Sequence, residues 1–281
     1  MGIARRFIGK ILGGIRQRKP PPPAPKAPQR PPDPVVEARI AKGQGYLRSI
    51  KGIHAGRRGF VVGNGPSLRM ADLDRLTGEV SIGSNKVYLA FGETRWRPDY
   101  YTIVDDLVWQ RIAPELHAHV PRVLIPSYLP EPEGLQVEVV TFRSPGNAAN
   151  PSKPRGPAFS GDATYGLFGG YTVTFENIQL AVHLGLDPIY LIGCDHFYTG
   201  DTGREGDKPV EVGQERNHFL PNYTAPGERM NPALVSRMTR SFERARDYAG
   251  QHGIRIINAT RGGHLEVFPR TSLDSLFPRD A

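Results

Sequence analysis

The chain has 281 residues, 38% of them hydrophobic, which is enough for one sizeable core with an appendage. Its formal charge of +8 is concentrated in residues 1–40, with nine Lys/Arg against two Asp/Glu. The remainder holds 27 basic and 26 acidic residues, so the body has no surplus for a nucleic-acid-binding face. A single cysteine, Cys194, excludes an internal disulfide and a multi-cysteine metal site, and fits a reducing cytoplasm.

Residues 1–19 place Ile3, Phe7, Ile8, Ile11, Leu12 and Ile15 on one side of a helix, with arginines and lysines around it. Such a helix suits an anionic membrane interface but is too short and charged to span a bilayer. A solvated, disordered basic tail is the alternative. Residues 20–35 form a proline-rich linker that cannot join a core. The folded body is therefore expected over residues 36–281.

There the pattern alternates. Val35 to Ile50 reads as a helix weakened by Gly43 and Gly45, and Phe60 to Val62 as the first strand. Its end runs into Gly63-Asn64-Gly65-Pro66-Ser67-Leu68, whose glycines would let backbone amides grip a phosphate before the short helix Met70 to Leu76. Glu79 to Asn85 is a second strand, followed by the helical stretch Lys86 to Phe91. Asp99 to Asp105 is a third strand, with a helix over Leu107 to His117. Pro121 to Pro126 and Val137 to Phe142 are further strands. Thr174 to Leu186 reads as an amphipathic helix leading into the strand Pro188 to Cys194, and Pro232 to His252 as a long helix before a last strand at Ile254 to Ile257. This alternation predicts an α/β, Rossmann-like, doubly wound and mostly parallel sheet with helices on both faces. Thr199 to Arg229, rich in Gly, Pro and charge, is expected to be a lid loop.

Ligands of such sheets bind beyond the carboxyl ends of the strands. Those ends carry Asn64, Asn85, Asp105 with Asp106, Asp195 with His196, and Asn258 with Thr260, and a shared nucleotide pocket is expected there. His218, in the lid, could take a proton from an attacking hydroxyl without a metal. His264, beside Gly262, Gly263 and Glu266, is the rival base, and the residues themselves do not decide between the two. Thr172 or Thr174 could cap the following helix. Trp96 and Trp109 read as core or lid aromatics, and Cys194 as buried and inert.

The ordered set Gly63 to Leu68, Ser84-Asn85, Tyr101 to Asp105 and Ile189-Tyr-Leu-Ile-Gly-Cys-Asp195 resembles the 6-hydroxymethylpterin diphosphokinase MptE-like family. It is also similar to the bacterial sialyltransferases of glycosyltransferase family 42, over roughly residues 58–278. The second resemblance implies a nucleotide-activated sugar donor held by Asn64 and Asn85, and with the turn Gly63, Gly65, Pro66 and Ser67 read above, Asp105 and Asp195 complete the expected nucleotide site. It also implies His218 as base, with Tyr198 and Tyr223 steadying the departing phosphate. Asp105 stands where those enzymes use an asparagine. The implied activity is glycosyl transfer to a glycan or lipid-linked acceptor in cell-surface polysaccharide synthesis. No cofactor is required, and the cytoplasmic enzyme would lie at the inner membrane face through residues 1–19. The first resemblance implies instead a Mg²⁺-dependent diphosphokinase with Asp105 and Asp106 at the metal. His117-Ala-His119 matches only the start of that family's His-Ala-His-Gly-Asp-Asn run. A non-catalytic nucleotide-binding module is the third expectation.

Overall fold

In the computed structural model the described residues are 33–146, 158–199, 208–211, 217–225 and 227–277. The amphipathic segment 1–19 and nearly all of the proline-rich linker fall outside them. The first helix starts at Pro34, one residue before the expected Val35. Asp33 Oδ1 accepts the Val35 amide at 2.9 Å, and Pro34 occupies the first helical position, where its missing N–H costs nothing.

Helix α1 (Pro34–Ile50) leads to β1 (Gly59–Val62), the short α2 (Met70–Asp74) and β2 (Val80–Ser84). A 3₁₀ turn at Val87–Gly92 precedes β3 (Tyr100–Thr102), α3 (Asp106–Ile112), β4 (Arg122–Pro126) and β5 (Glu138–Phe142). Helix α4 (Val173–His183), β6 (Ile189–Ile192), a two-strand ribbon of β7 (Val210–Glu211) and β8 (Arg229–Met230), α5 (Val235–His252), β9 (Ile256–Asn258) and α6 (Leu273–Leu276) complete the unit. The main sheet has seven parallel strands in the order β5-β4-β3-β2-β1-β6-β9. The α/β, Rossmann-like, doubly wound class is therefore observed. The chain winds outward from β1 to β5, then returns to place β6 on the other flank of β1. The crevice beyond β1 and β6 is the topological switch point, where ligands of such sheets bind.

Side-chain alternation divides the core in two. Phe60 and Val62 of β1 enter one cluster with Leu73, Val87, Trp96 and Trp109, beneath α2, the 3₁₀ turn and α3. Val61 faces Leu47, Phe175, Ile178 and Phe242 of α1, α4 and α5. Both tryptophans are core, and Cys194 is buried with its thiol pushed up to about 12 by burial. Gly43 has a packing reason, because a Cβ there would run into the Thr141 carbonyl of β5.

Helix α4 departs from the amphipathic expectation. Its buried set includes Phe175, Glu176, Asn177, Ile178, Gln179, Leu180 and His183, which surround the axis. It lies on β1 and β2 and packs beside α5, and His183 Nε2 meets the Leu47 carbonyl of α1 at 2.8 Å. Gln179 serves the loop before the helix, accepting from Ser160 and Phe168 amides at 3.0 Å each. A helix clothed on every side must satisfy its polar groups internally. This requirement singles out Glu176.

Candidate functional site

Beyond the carboxyl ends of β1, β2, β3 and β6 lies a cleft of about 530 Å³. The ends of four strands reach it through Asn64, Asn85, Asp105 with Asp106, and Asp195 with His196. The fifth expected pair does not. Asn258 Nδ2 donates to the Leu265 carbonyl at 2.8 Å and its Oδ1 accepts the Thr260 amide at 3.0 Å. Thr260 Oγ1 in turn accepts the Cys194 amide at 3.1 Å, so the β9 end braces β6 instead of lining the cleft.

The glycine turn after β1 is not a cradle of free amides. Gly63 N–H donates to Ile192 O at 2.8 Å and Gly65 N–H to Gly193 O at 2.9 Å. Ser67 N–H and Oγ donate to the Asp195 carboxylate, at 3.2 and 2.8 Å. A Cβ on Gly63 would strike the Gly193 carbonyl, and one on Gly65 would strike Asp195 Oδ2. These glycines let β6 and its carboxylate press against the turn, which accounts for them without a phosphate. Helix α2 adds only five residues and its N-terminal Arg69 makes no side-chain cap. Pro66 and Ser67 lie outside the cleft lining, and Asp195 braces the turn, held above the usual carboxylate range by burial against the opposing Ser67 bonds.

Asn64 and Asn85 keep open valences. Asn64 Nδ2 donates to the Ser84 carbonyl at 3.2 Å, while its Oδ1 is buried without a partner, as is Asn85 Oδ1. Asn85 holds a left-handed backbone (φ 55°), and its carbonyl accepts the Tyr101 hydroxyl. Ser84 Oγ, Glu176 Oε2 and Asn177 Nδ2 are also unpartnered, so five of the seven such buried atoms among the described residues gather around the ends of β1 and β2 and the start of α4. Unpaired buried polar groups are costly; of these residues Asn64, Asn85 and Glu176 line the cleft, where a ligand could complete them, while Ser84 and Asn177 do not.

The segment after β6 covers this end. Phe219 N–H donates to the Asn64 carbonyl at 3.1 Å, anchoring Asn217 to Tyr223 over the cleft. His218 stacks on Tyr223 with ring centroids 3.8 Å apart. Burial first, then the Lys86 charge, lowers the His218 pKa to about 4, so the imidazole is neutral across the physiological range. Tyr223 is buried, its hydroxyl accepting the Lys86 amide at 3.4 Å, and burial raises its pKa. Its ring is the platform for His218, and its hydroxyl, an acceptor here, keeps its own proton. Tyr198 lines the cleft, with its pKa pushed up to about 12 by burial. Beneath them Lys86 Nζ bonds Glu228 Oε1 at 2.5 Å and the Tyr223 carbonyl at 3.0 Å, and Arg111 reaches Glu228 Oε2 at 3.2 Å.

The rival base lies elsewhere. His264 is outside the cleft lining, against Phe197, and its amide donates to the Asp195 carbonyl at 2.7 Å. Glu266 pairs with Arg270. Asp105 is a helix cap whose Oδ1 accepts the Leu107 and Val108 amides at 2.9 and 3.0 Å, while its Oδ2 and Asp106 Oδ1 share Asn231 Nδ2 at 3.1 Å. No group of three or more His, Cys, Asp or Glu among the described residues could hold a metal. His119 precedes β4, at the opposite end of the sheet from Asp105, so the pieces of the kinase pattern do not share a site.

Sequence reasoning missed Glu176. It lies in the first turn of α4, capped by Thr172, and is only 4% exposed although it lines the cleft. Burial pushes its carboxyl up to about 8, with the amides of Glu176 and Gly170 pulling the other way. The available signal was a lone carboxylate in a helix otherwise free of charge until His183.

Among the described residues lining the cleft there is no Lys or Arg, against four carboxyl groups, Asp105, Asp106, Glu176 and Asp195. No helix of the described residues is long and apolar enough to cross a membrane. No protein-family model matches the chain, the MptE-like family included, and no curated protein matches it. Among solved structures it is similar to a mammalian sialyltransferase in complex with Gal-beta-1-3GalNAc-ortho-nitrophenol, with 12% identity, 83% of this chain and 88% of that chain covered, and a TM-score of 0.36.

Proposed function

We propose that the chain is a nucleotide-sugar-dependent glycosyltransferase whose donor binds at the β1–β2 end of the cleft. The observation that carries this reading is the pair of buried, unpartnered amide oxygens on Asn64 and Asn85, at the switch point and under the His218–Tyr223 stack. Two carbonyl acceptors lining one cleft suit the hydroxyls of a ribose or the amino edge of a base. With no cation in the described lining, a donor bearing one phosphodiester charge fits better than a diphosphate.

In the transfer, the acceptor hydroxyl oxygen attacks the anomeric carbon, and the bond from that carbon to the phosphate oxygen breaks with both electrons leaving on the phosphate. The hydroxyl proton passes to the neutral His218 imidazole, and the Tyr198 hydroxyl donates a hydrogen bond to the departing nucleoside monophosphate. Tyr223 orients the imidazole by stacking. The cytoplasmic face of a membrane, reached through residues 1–19, and a glycan or lipid-linked acceptor belong to the same proposal.

The test is a panel of nucleotide sugars incubated with the protein, with nucleotide release measured. Release of a nucleoside monophosphate that His218→Ala reduces about a hundredfold or more supports the reading. Tight nucleotide binding without release from any donor would leave the non-catalytic module in its place.

A further inference from the structure

Tyr128, Glu176, Asp105 and Asp106 line the same cleft as Asn64 and Asn85. The Tyr128 hydroxyl there donates to the Val104 carbonyl at 2.6 Å. Its pKa is raised by burial and then by the charges of Glu176, Asp105 and Asp106, which places three carboxyl groups around one hydroxyl. Tyr171 and Thr172 complete this wall. The charge of the described lining is one-sided, since it holds no Lys or Arg, and Lys86 and Arg111 are bound to Glu228. Glu176 is 4% exposed with Oε2 unpartnered, so a charged Glu176 would be both desolvated and without a counter-ion.

We propose that this acidic wall of the cleft binds an ammonium group on the acceptor substrate, with Glu176 as its counter-ion. The inference rests on the reading of the cleft as a transferase site, and it names the acceptor class as an amino-bearing sugar or similar polyhydroxylated amine. An ammonium supplies what the wall lacks. It donates to Glu176 Oε2, carries the charge opposite to Asp105 and Asp106, and faces the rings of Tyr128 and Tyr171. Free Glu176 holds its proton near neutrality, so seating an ammonium expels that proton to solvent, leaving a carboxylate–ammonium pair.

The experiment titrates glucosamine, N-acetylglucosamine and glucose separately into the full chain at about pH 6.5, where the amine is charged. Calorimetry in two buffers of different ionisation enthalpy counts protons. Expected results are about ten- to a hundredfold tighter binding of glucosamine than of the two neutral sugars, close to one proton released per glucosamine, and loss of the preference in Glu176→Gln. Equal affinity for the three sugars, or glucosamine binding without proton release, overturns the proposal, and the second readout needs no variant. A nucleoside monophosphate titrated into the same protein reads the donor end. If it binds while glucosamine shows no preference, the acceptor inference falls alone. If neither binds, the reading of the cleft falls with it.

Discussion

Replacing Glu176 by Gln should make the protein more stable, and by an amount that depends on pH in a set direction. The carboxyl titrates near 8 in the folded chain against an ordinary 4.5, because burial disfavours its charge. A folded pKa above the unfolded one means that folding takes up a proton between those values, so stability falls as pH rises from about 4.5 and levels off above about 8. At about 1.4 kcal/mol per pKa unit, the full loss is about 5 kcal/mol, of which about 3 kcal/mol has accrued by pH 7. Gln keeps the shape of the protonated acid and cannot ionise. Urea titrations of the two proteins should therefore agree within about 1 kcal/mol at pH 4.5 and diverge steadily to pH 8. In thermal melts the gap should reach the order of 10 °C, at roughly 2–4 °C per kcal/mol for a domain of this size. Parallel pH profiles would show that Glu176 is ionised and solvated in the folded chain, and the acceptor argument would lose its footing.

Transfer activity should persist on acidification well below the usual histidine range and decline only toward pH 4, since His218 is already neutral above that value; a limb in kcat/KM near 6.5 would move the base to another group. Gly65→Ala should lower stability by about 1–3 kcal/mol in chemical denaturation, because its Cβ meets Asp195 Oδ2 and the Ser67 bonds must open; unchanged stability would mean the turn and the β6 end are not in contact. Lys86→Met should cost about 3–5 kcal/mol by the same assay and expose the 217–225 segment to protease, since the buried Glu228 would lose its closest cation and keep only Arg111 and the Ala225 amide; a neutral result would place Glu228 in solvent.

The sheet was legible because buried parallel strands are short apolar runs, as at Phe60–Val62 and Ile189–Ile192, and each was found. The ribbon of Val210–Glu211 with Arg229–Met230 was missed, since two-residue strands have no periodicity to read. Helix α4 misled for a related reason. Periodicity reports one apolar stripe, whereas a helix covered by the sheet, α1 and α5 buries its polar residues too, and Glu176 and Gln179 were passed over. The glycine turn was recognised as special, and the structure supplies a packing cause that the sequence did not show. Gly63 and Gly65 look the same in sequence whether a phosphate or the end of β6 comes close, and the partner, Asp195, lies 130 residues beyond Gly65. Asn64, Asn85 and His218 could be nominated because asparagine at a strand end and histidine in a polar loop are unusual enough to notice. What sequence could not supply was their state, namely which amide oxygens lack partners and how far burial lowers the imidazole.

The central claim is that Asn64 and Asn85 hold a nucleotide, and calorimetric titration of nucleoside monophosphates into the native chain, Asn64→Ala and Asn85→Ala tests it most directly. The account predicts saturable binding to the native chain and a loss of about tenfold or more in each variant, measured at a temperature where all three proteins are folded. Equal affinity in all three proteins, or no binding to the native chain, would contradict it.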